Sequence, residues 1–279
     1  MTDPPFDLGF EEASAAFESA SQNARVWTEL WVRSWLFCPS CGAANISQFE
    51  RNRPVADFHC ATCREELALK SQKGRFGSTV VDGAFGTMCA RLAGEDNPSL
   101  ILMNYELVRL SVTNLFFVPK HFFVREIIQE RRPLAATARR AGWIGCNILL
   151  GQIPNAGKIF VVRDGEQLPK DQVLEQWRAT SFLRDQGAGA RGWLIEVMKS
   201  VELIGRRDFT LEDVYEQEAR LQRLYPGNRN VRPKIRQQGF LEFIGRGRYR
   251  LRFAGWRLRV SPVFPDPAFV TRRRRSSGV

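Results

Sequence analysis

The sequence predicts a mixed α/β domain carrying a four-cysteine metal element, followed by a winged helix-turn-helix. Three observations predict it. Two CxxC pairs lie eighteen residues apart, short extended apolar runs recur between residues 55 and 162, and the final third combines helical spacing with a dense basic charge. A chain of 279 residues has room for two cores.

The formal net charge of +11 is unevenly placed. Residues 1–190 hold 21 basic and 21 acidic side chains, whereas residues 191–279 hold 20 basic and 9 acidic. A neutral domain followed by a polyanion-binding one is the organisation this implies. Residues 1–5 are without an apolar run, so no secretory signal is expected, and no stretch reaches the ~18 apolar residues of a membrane span. The expectation is a cytoplasmic protein with no membrane contact and no obligatory protein partner.

Taken in order, residues 10–36 have helical spacing, with Phe17, Val26, Trp27, Leu30, Trp31 and Leu36 in apolar stripes. The pairs Cys38/Cys41 and Cys60/Cys63 present four thiolates at zinc-ribbon spacing, which points to a structural Zn2+ site. His59 adjoins Cys60 and is expected to be a neighbour of the ion. Cys89 and Cys146 read as small buried side chains. Residues 65–70 alternate, with Leu67 and Leu69 on one face and Glu66, Ala68 and Lys70 on the other. Runs at 100–105, 115–118 and 158–162 read as buried strands. Between them, 131–143 is a basic loop containing Arg139, Arg140 and Trp143; the tryptophan is either a core plug or a DNA contact.

Residues 183–191 are Gly/Ala-rich and polar, the expected linker. Beyond it, Trp193, Leu194, Val197, Met198 and Val201 share a helix face, and Thr210 with Asp213 marks a second helix start. A third helix is expected over 230–238, with Pro233 in its first turn. Strands at 240–244 and 249–253 then flank a basic hairpin tip, Gly245-Arg246-Gly247-Arg248. Arg232, Lys234, Arg236, Gln237, Gln238, Arg246, Arg248 and Arg250 are the candidate donors to phosphates and base edges. Residues 272–275 are four arginines in a tail expected to be flexible. The predicted division is 1–185, 186–260 and 261–279.

Pro54 and Asp57, with an apolar run ending in Lys70 about a dozen residues later, have the layout of a PD-(D/E)xK nuclease core. The second carboxylate of that layout falls two residues before the lysine, on Ala68. Together with 52–58, Lys70-Ser71, 139–147 and 245–249, these residues resemble the DpnI-like methyl-directed restriction endonucleases, over about residues 20–250. The resemblance implies double-strand cleavage, with catalytic Mg2+, of GATC carrying N6-methyladenine. It places catalytic roles at Asp57, Ala68 and Lys70, with Asp57 and the Leu69 carbonyl as metal ligands. Trp143 matches a position near the methylated adenines. Two departures stand out: Ala68 has no carboxylate, so the chain is expected to bind and scarcely cleave, and Gly239 follows Gln238 where the family continues its recognition helix. A non-catalytic reader of adenine-methylated DNA is the alternative. Glu66, on the face of Ala68, is a candidate migrated ligand, displaced by ~6.5 Å.

Overall fold

The computed structural model describes residues 5–10, 19–50, 56–228, 230–236 and 241–251. Helix α1 (Ala20–Trp35) leads into the first cysteine turn and then β1 (Ser47–Gln48), β2 (Phe58–His59) and β3 (Glu66–Lys73). Next come β4 (Val80–Ala84), α2 (Phe85–Ala93), β5 (Ser99–Glu106), β6 (Ser111–Val118), β7 (Ile128–Glu130) and β8 (Gly145–Ile148). Strands β9 (Ile159–Arg163) and β10 (Glu166–Gln167) precede α3 (Lys170–Ala179). The last segment contains α4 (Ala188–Ile204), β11 (Asp208–Thr210), α5 (Leu211–Tyr215), α6 (Glu218–Leu224) and α7 (Val231–Arg236), then β12 (Leu241–Gly245) and β13 (Arg248–Leu251).

The main sheet has the order β1-β2-β3-β5-β6-β9-β10. Its β3–β5 pair is parallel, with Leu67 opposite Ser99 and Lys70 opposite Leu102, while its other pairs are antiparallel. A parallel pair requires a crossover, which β4 and α2 supply.

Side-chain alternation along the strands divides the core in two. Leu67, Ile101, Met103, Phe117 and Val161 face α1 and α3, meeting Trp31, Val32, Val173 and Trp177. Ala68, Leu100, Leu102, Phe116 and Phe160 face the other way, onto the small sheet β4-β8-β7 and onto α4. The alternation expected over 65–70 is thus the one found.

The Gly/Ala-rich stretch is not a free linker along its whole length. Helix α4 begins at Ala188, and Arg191 is buried, 2.9 Å from Glu95. The helix extends this far because burying Trp193, Leu194, Val197, Met198 and Val201 outweighs the helix penalty of the glycines. Those side chains join one continuous core with Phe122, Phe123 and Val124.

Thr210 caps α5 with a full capping box to Asp213, as its sequence signature predicts. The second helix is interrupted into α5 and α6, and β11, absent from the sequence reading, pairs with β13 to widen the hairpin into a three-stranded sheet. Of the expected third helix, 230–236 is described and is helical from Val231 to Arg236, while 237–240 lie outside the described residues. The hairpin tip turns through Arg246 and Gly247, both at positive φ (50° and 72°), a geometry of the type I′ kind.

Candidate nuclease site and DNA interface

The cysteine cluster is built from two matching turns. The N–H of Gly42 donates to the Cys38 carbonyl and that of Arg64 to the Cys60 carbonyl, both at 2.9 Å. Each donor is four residues after the first cysteine of its pair and sits in the left-handed region (φ 80° and 63°). The chain therefore curls identically at both ends, and the four Sγ atoms converge within 4.8 Å of one another. The Cys38–Cys63 and Cys41–Cys60 sulfurs are 3.5 Å apart, close to the ~3.8 Å edge of a tetrahedron with 2.3 Å zinc–sulfur bonds. Burial pushes the Cys38 thiol up, whereas at Cys60 burial is overcome by the N–H groups of Cys63 and Thr62, which bring it down to about 7. The donor set fits a structural zinc ion. His59 is a neighbour, stacked on Phe49 with ring centroids 4.3 Å apart.

Nineteen residues beyond Cys38, Asp57 stands just ahead of β2 at the edge of β3. Its N–H donates to the Leu67 carbonyl at 3.0 Å, and its Oδ2 accepts the Leu69 N–H at 2.8 Å. In a strand the N–H and C=O of one residue point to the same side, so the Leu69 carbonyl is aimed at the Asp57 edge too. Burial raises the Asp57 carboxyl above its ordinary range; the Leu69 N–H opposes this, the charge of Glu29 adds to it, and Arg25 and Lys70 act against it. Pro54 and Val55 lie outside the described residues.

Lys70 extends from the opposite face of β3 and places Nζ 2.5 Å from Oδ1 of Asp82 on β4. Ala68, on that same face, is 5% exposed and packs among Leu100, Leu102 and Phe116. It offers no oxygen. The donors for a hard divalent ion here are one carboxylate and one carbonyl, and the Asp57 carboxylate already has a guanidinium 3.8 Å away. The strand layout is thus one carboxylate short of its full set, the nearby carboxylates of Glu29 and Asp82 are each paired with a cation, and no catalytic step through the ion follows from it. Glu66 pairs across from His59, two strand positions away from Ala68.

Three charged residues at this site were missed by the sequence reading. Arg25 and Glu29 on α1 form a pair at 2.5 Å, with Arg25 reaching toward Asp57, and Asp82 holds Lys70. The i,i+4 spacing of Arg25 and Glu29 was the available signal, but it reads the same in any solvated helix face. Asp82 carried none, because its approach to Lys70 depends on how two separate sheets pack.

Strand β4 pairs with β8, setting Asp82 opposite Cys146. Three residues earlier in the chain is Trp143, at the end of the basic loop. That loop folds as a continuation of the β7–β8 pair: Arg131 N–H donates to Gly145, and Leu134 N–H to Trp143. Arg131, Arg132, Arg139 and Arg140 are exposed on it. Trp143 is half-buried, not a core plug, with the Arg140 guanidinium 5.0 Å from its ring centroid. Gly145 makes this possible, since a Cβ there would fall 2.8 Å from the indole. Cys146 is buried as expected, while Cys89 is half-buried.

Among the helix-turn-helix candidates, Arg246 and Arg248 are exposed on the hairpin and Lys234 is exposed on α7. Arg232 is exposed but paired, its Nε 2.8 Å from Glu218 and its guanidinium over Tyr215. Arg250 forms two hydrogen bonds to Asp208, at 2.7 and 3.1 Å. Gln237 and Gln238 lie outside the described residues, as does the side chain of Arg236. No helix among the described residues is long and apolar enough to cross a membrane.

A mixed α/β core, a four-cysteine cluster and a C-terminal set of helices closed by a hairpin make up the architecture. Residues 7–186 match the family model DpnI, described as the Dam-replacing family, and residues 189–251 match its C-terminal partner, the Dam-replacing HTH domain. The chain belongs to the DpnI, or Dam-replacing, family. Membership identifies a restriction-endonuclease scaffold whose ligand is DNA.

Proposed function

We propose that this chain recognises double-stranded GATC carrying N6-methyladenine and that it binds this DNA far better than it cleaves it. The observation that carries the reading is the strand pair itself. Asp57 accepts the Leu69 N–H, Lys70 follows Leu69 on the same strand, and Ala68 offers no carboxylate between them, which supports the reading. A divalent ion with one fewer anionic ligand keeps more of its water and sits less firmly against a phosphate. Mg2+ would be the ion if a carboxylate stood at position 68, and Zn2+ would occupy the four cysteines. The proposed division places the nuclease core at 1–185 and the helix-turn-helix at 186–260.

Methyl reading is assigned to the loop with Arg139, Arg140 and Trp143 and to the helix-turn-helix with Lys234, Arg236, Gln237, Gln238, Arg246 and Arg248. A methyl group in the major groove is directly legible by apolar contact, and Gln can pair bidentately with adenine. Arg232 is the weaker candidate of this group because it would have to leave Glu218.

The test is to incubate the chain and its Ala68→Glu variant with methylated and unmethylated GATC duplexes and Mg2+. Cleavage of methylated DNA by the variant, and scarcely any by the chain, supports the reading. A variant that binds methylated DNA and does not cut favours the second reading, a non-catalytic reader. The observation in support of that second reading is the apolar cluster that encloses Ala68. Equal affinity for methylated and unmethylated duplexes removes methyl recognition altogether.

A further inference from the structure

We infer that Arg25 grips the scissile phosphodiester directly, so that this chain holds DNA at Asp57 without a divalent ion. The inference rests on the reading that DNA is bound at Asp57, and it assigns a contact to a residue of α1 outside the strand motif.

Position is the first argument. Arg25 is a long cation with a 65% exposed side chain, and its Nη2 is 3.8 Å from Oδ1 of Asp57. A phosphate brought to Asp57 is therefore brought to Arg25. At 3.8 Å the guanidinium is not hydrogen-bonded to that carboxylate, so it can turn to an incoming oxygen.

Orientation is the second. Nε of Arg25 is held at 2.5 Å by Oε1 of Glu29, whose other oxygen accepts Nε2 of Gln48 at 2.9 Å. The helix is pinned over β3 by Thr28, buried, with its hydroxyl 3.2 Å from that of Ser71, the residue after Lys70. With Nε fixed, the Nη end of the fork points to the Asp57 edge. A planar fork held in this way suits bidentate phosphate binding.

Charge is the third. Two cations, Arg25 and Lys70, are paired with three anions, Asp57, Glu29 and Asp82, near the strand motif. A carboxylate at position 68 would add a fourth anion, and a phosphodiester would then need a dication to enter. With Ala68 the repulsion is one unit smaller, and Arg25 already stands where the positive charge is required.

The experiment is fluorescence anisotropy of the full chain with a methylated GATC duplex, in EDTA and in Ca2+. Affinity is expected to agree within about twofold in the two buffers, given that the phosphate contact is made by a side chain. Arg25→Ala should weaken binding in EDTA roughly tenfold and lower the slope of log affinity against log salt by about one. Arg25→Lys should recover part of the affinity but not all, having the charge without the fork. Ala68→Glu should lose affinity in EDTA and regain it in Ca2+. A chain that needs the dication to bind, or an Arg25→Ala variant with unchanged affinity and slope, overturns the inference and leaves methyl-directed binding standing. Absence of binding to the methylated duplex under every condition overturns both.

Discussion

Lys70 and Asp82 meet across the gap between the two sheets of the first domain, with Nζ 2.5 Å from Oδ1. The lysine lies on β3 two residues after Ala68, and the aspartate lies on β4, in the small sheet that also carries the basic loop. Where the strand itself supplies no carboxylate beside the lysine, another strand supplies one. Asp82 thereby fixes where the ammonium sits but does not place an oxygen beside Asp57.

On the proposed assignment, Ala68→Glu is expected to raise cleavage by at least about a hundredfold, a gain comparable with that from other transition-state charge stabilisers. Single-turnover cleavage of methylated GATC DNA measures it. Glu66→Gln should change little, because Glu66 is opposite His59, away from Asp57. If the chain with Ala68 already cuts at the variant's rate and Glu66→Gln abolishes it, Glu66 is the ligand and the assignment of Ala68 is wrong.

One zinc ion per chain is expected from elemental analysis. A strong chelator should raise hydrogen exchange over residues 38–65, since a site held by four thiolates contributes its binding free energy to folding. Cys60→Ser should lower both zinc content and protection there. Folded protein without zinc would contradict the assignment.

Glu202 on α4 should make stability fall as pH rises through a defined window. Its carboxylate accepts the Asn155 N–H at 2.6 Å, and burial raises its carboxyl to about 7 from an ordinary value of 4.5, against the opposing Asn155 N–H and the charge of Lys158. The folded chain therefore holds a proton that the unfolded chain has released between about pH 4.5 and 7. The contribution of Glu202 to stability is greatest below that window and declines across it by at most about 1.4 kcal/mol per pH unit. Glu202→Gln keeps an acceptor for Asn155 and cannot titrate. The difference between the two denaturation curves should be flat above pH about 7 and slope below it; a constant difference from pH 4 to 8 would count against the shift.

DNA affinity should depend steeply on salt, and Arg139→Ala and Arg140→Ala should each reduce the slope by about one if both meet phosphates. Arg140→Ala should also release Trp143, whose ring it covers, so its effect on methyl preference should exceed that of Arg139→Ala. The measurement belongs on the full chain. A fragment starting near Gly189 would expose Trp193, Leu194 and Val197, which share a core with Phe122 and Val124.

Local chemistry was legible without any structure. The two CxxC turns, the alternation of Leu67 and Leu69 against Ala68 and Lys70, the Thr210–Asp213 cap and the hairpin tip all rest on interactions within a few residues, and each is where its pattern placed it. What tertiary structure decided is long-range. The start of α4 inside a Gly/Ala-rich stretch follows from the apolar face it buries against a distant segment. Strand β11 forms because β13 gives it a partner forty residues later. The pairs Lys70–Asp82 and Arg25–Asp57 join residues from different sheets and from helix to strand edge. No sequence periodicity encodes such pairs, because a charged side chain reads the same whether it faces water or an opposite charge across a cleft.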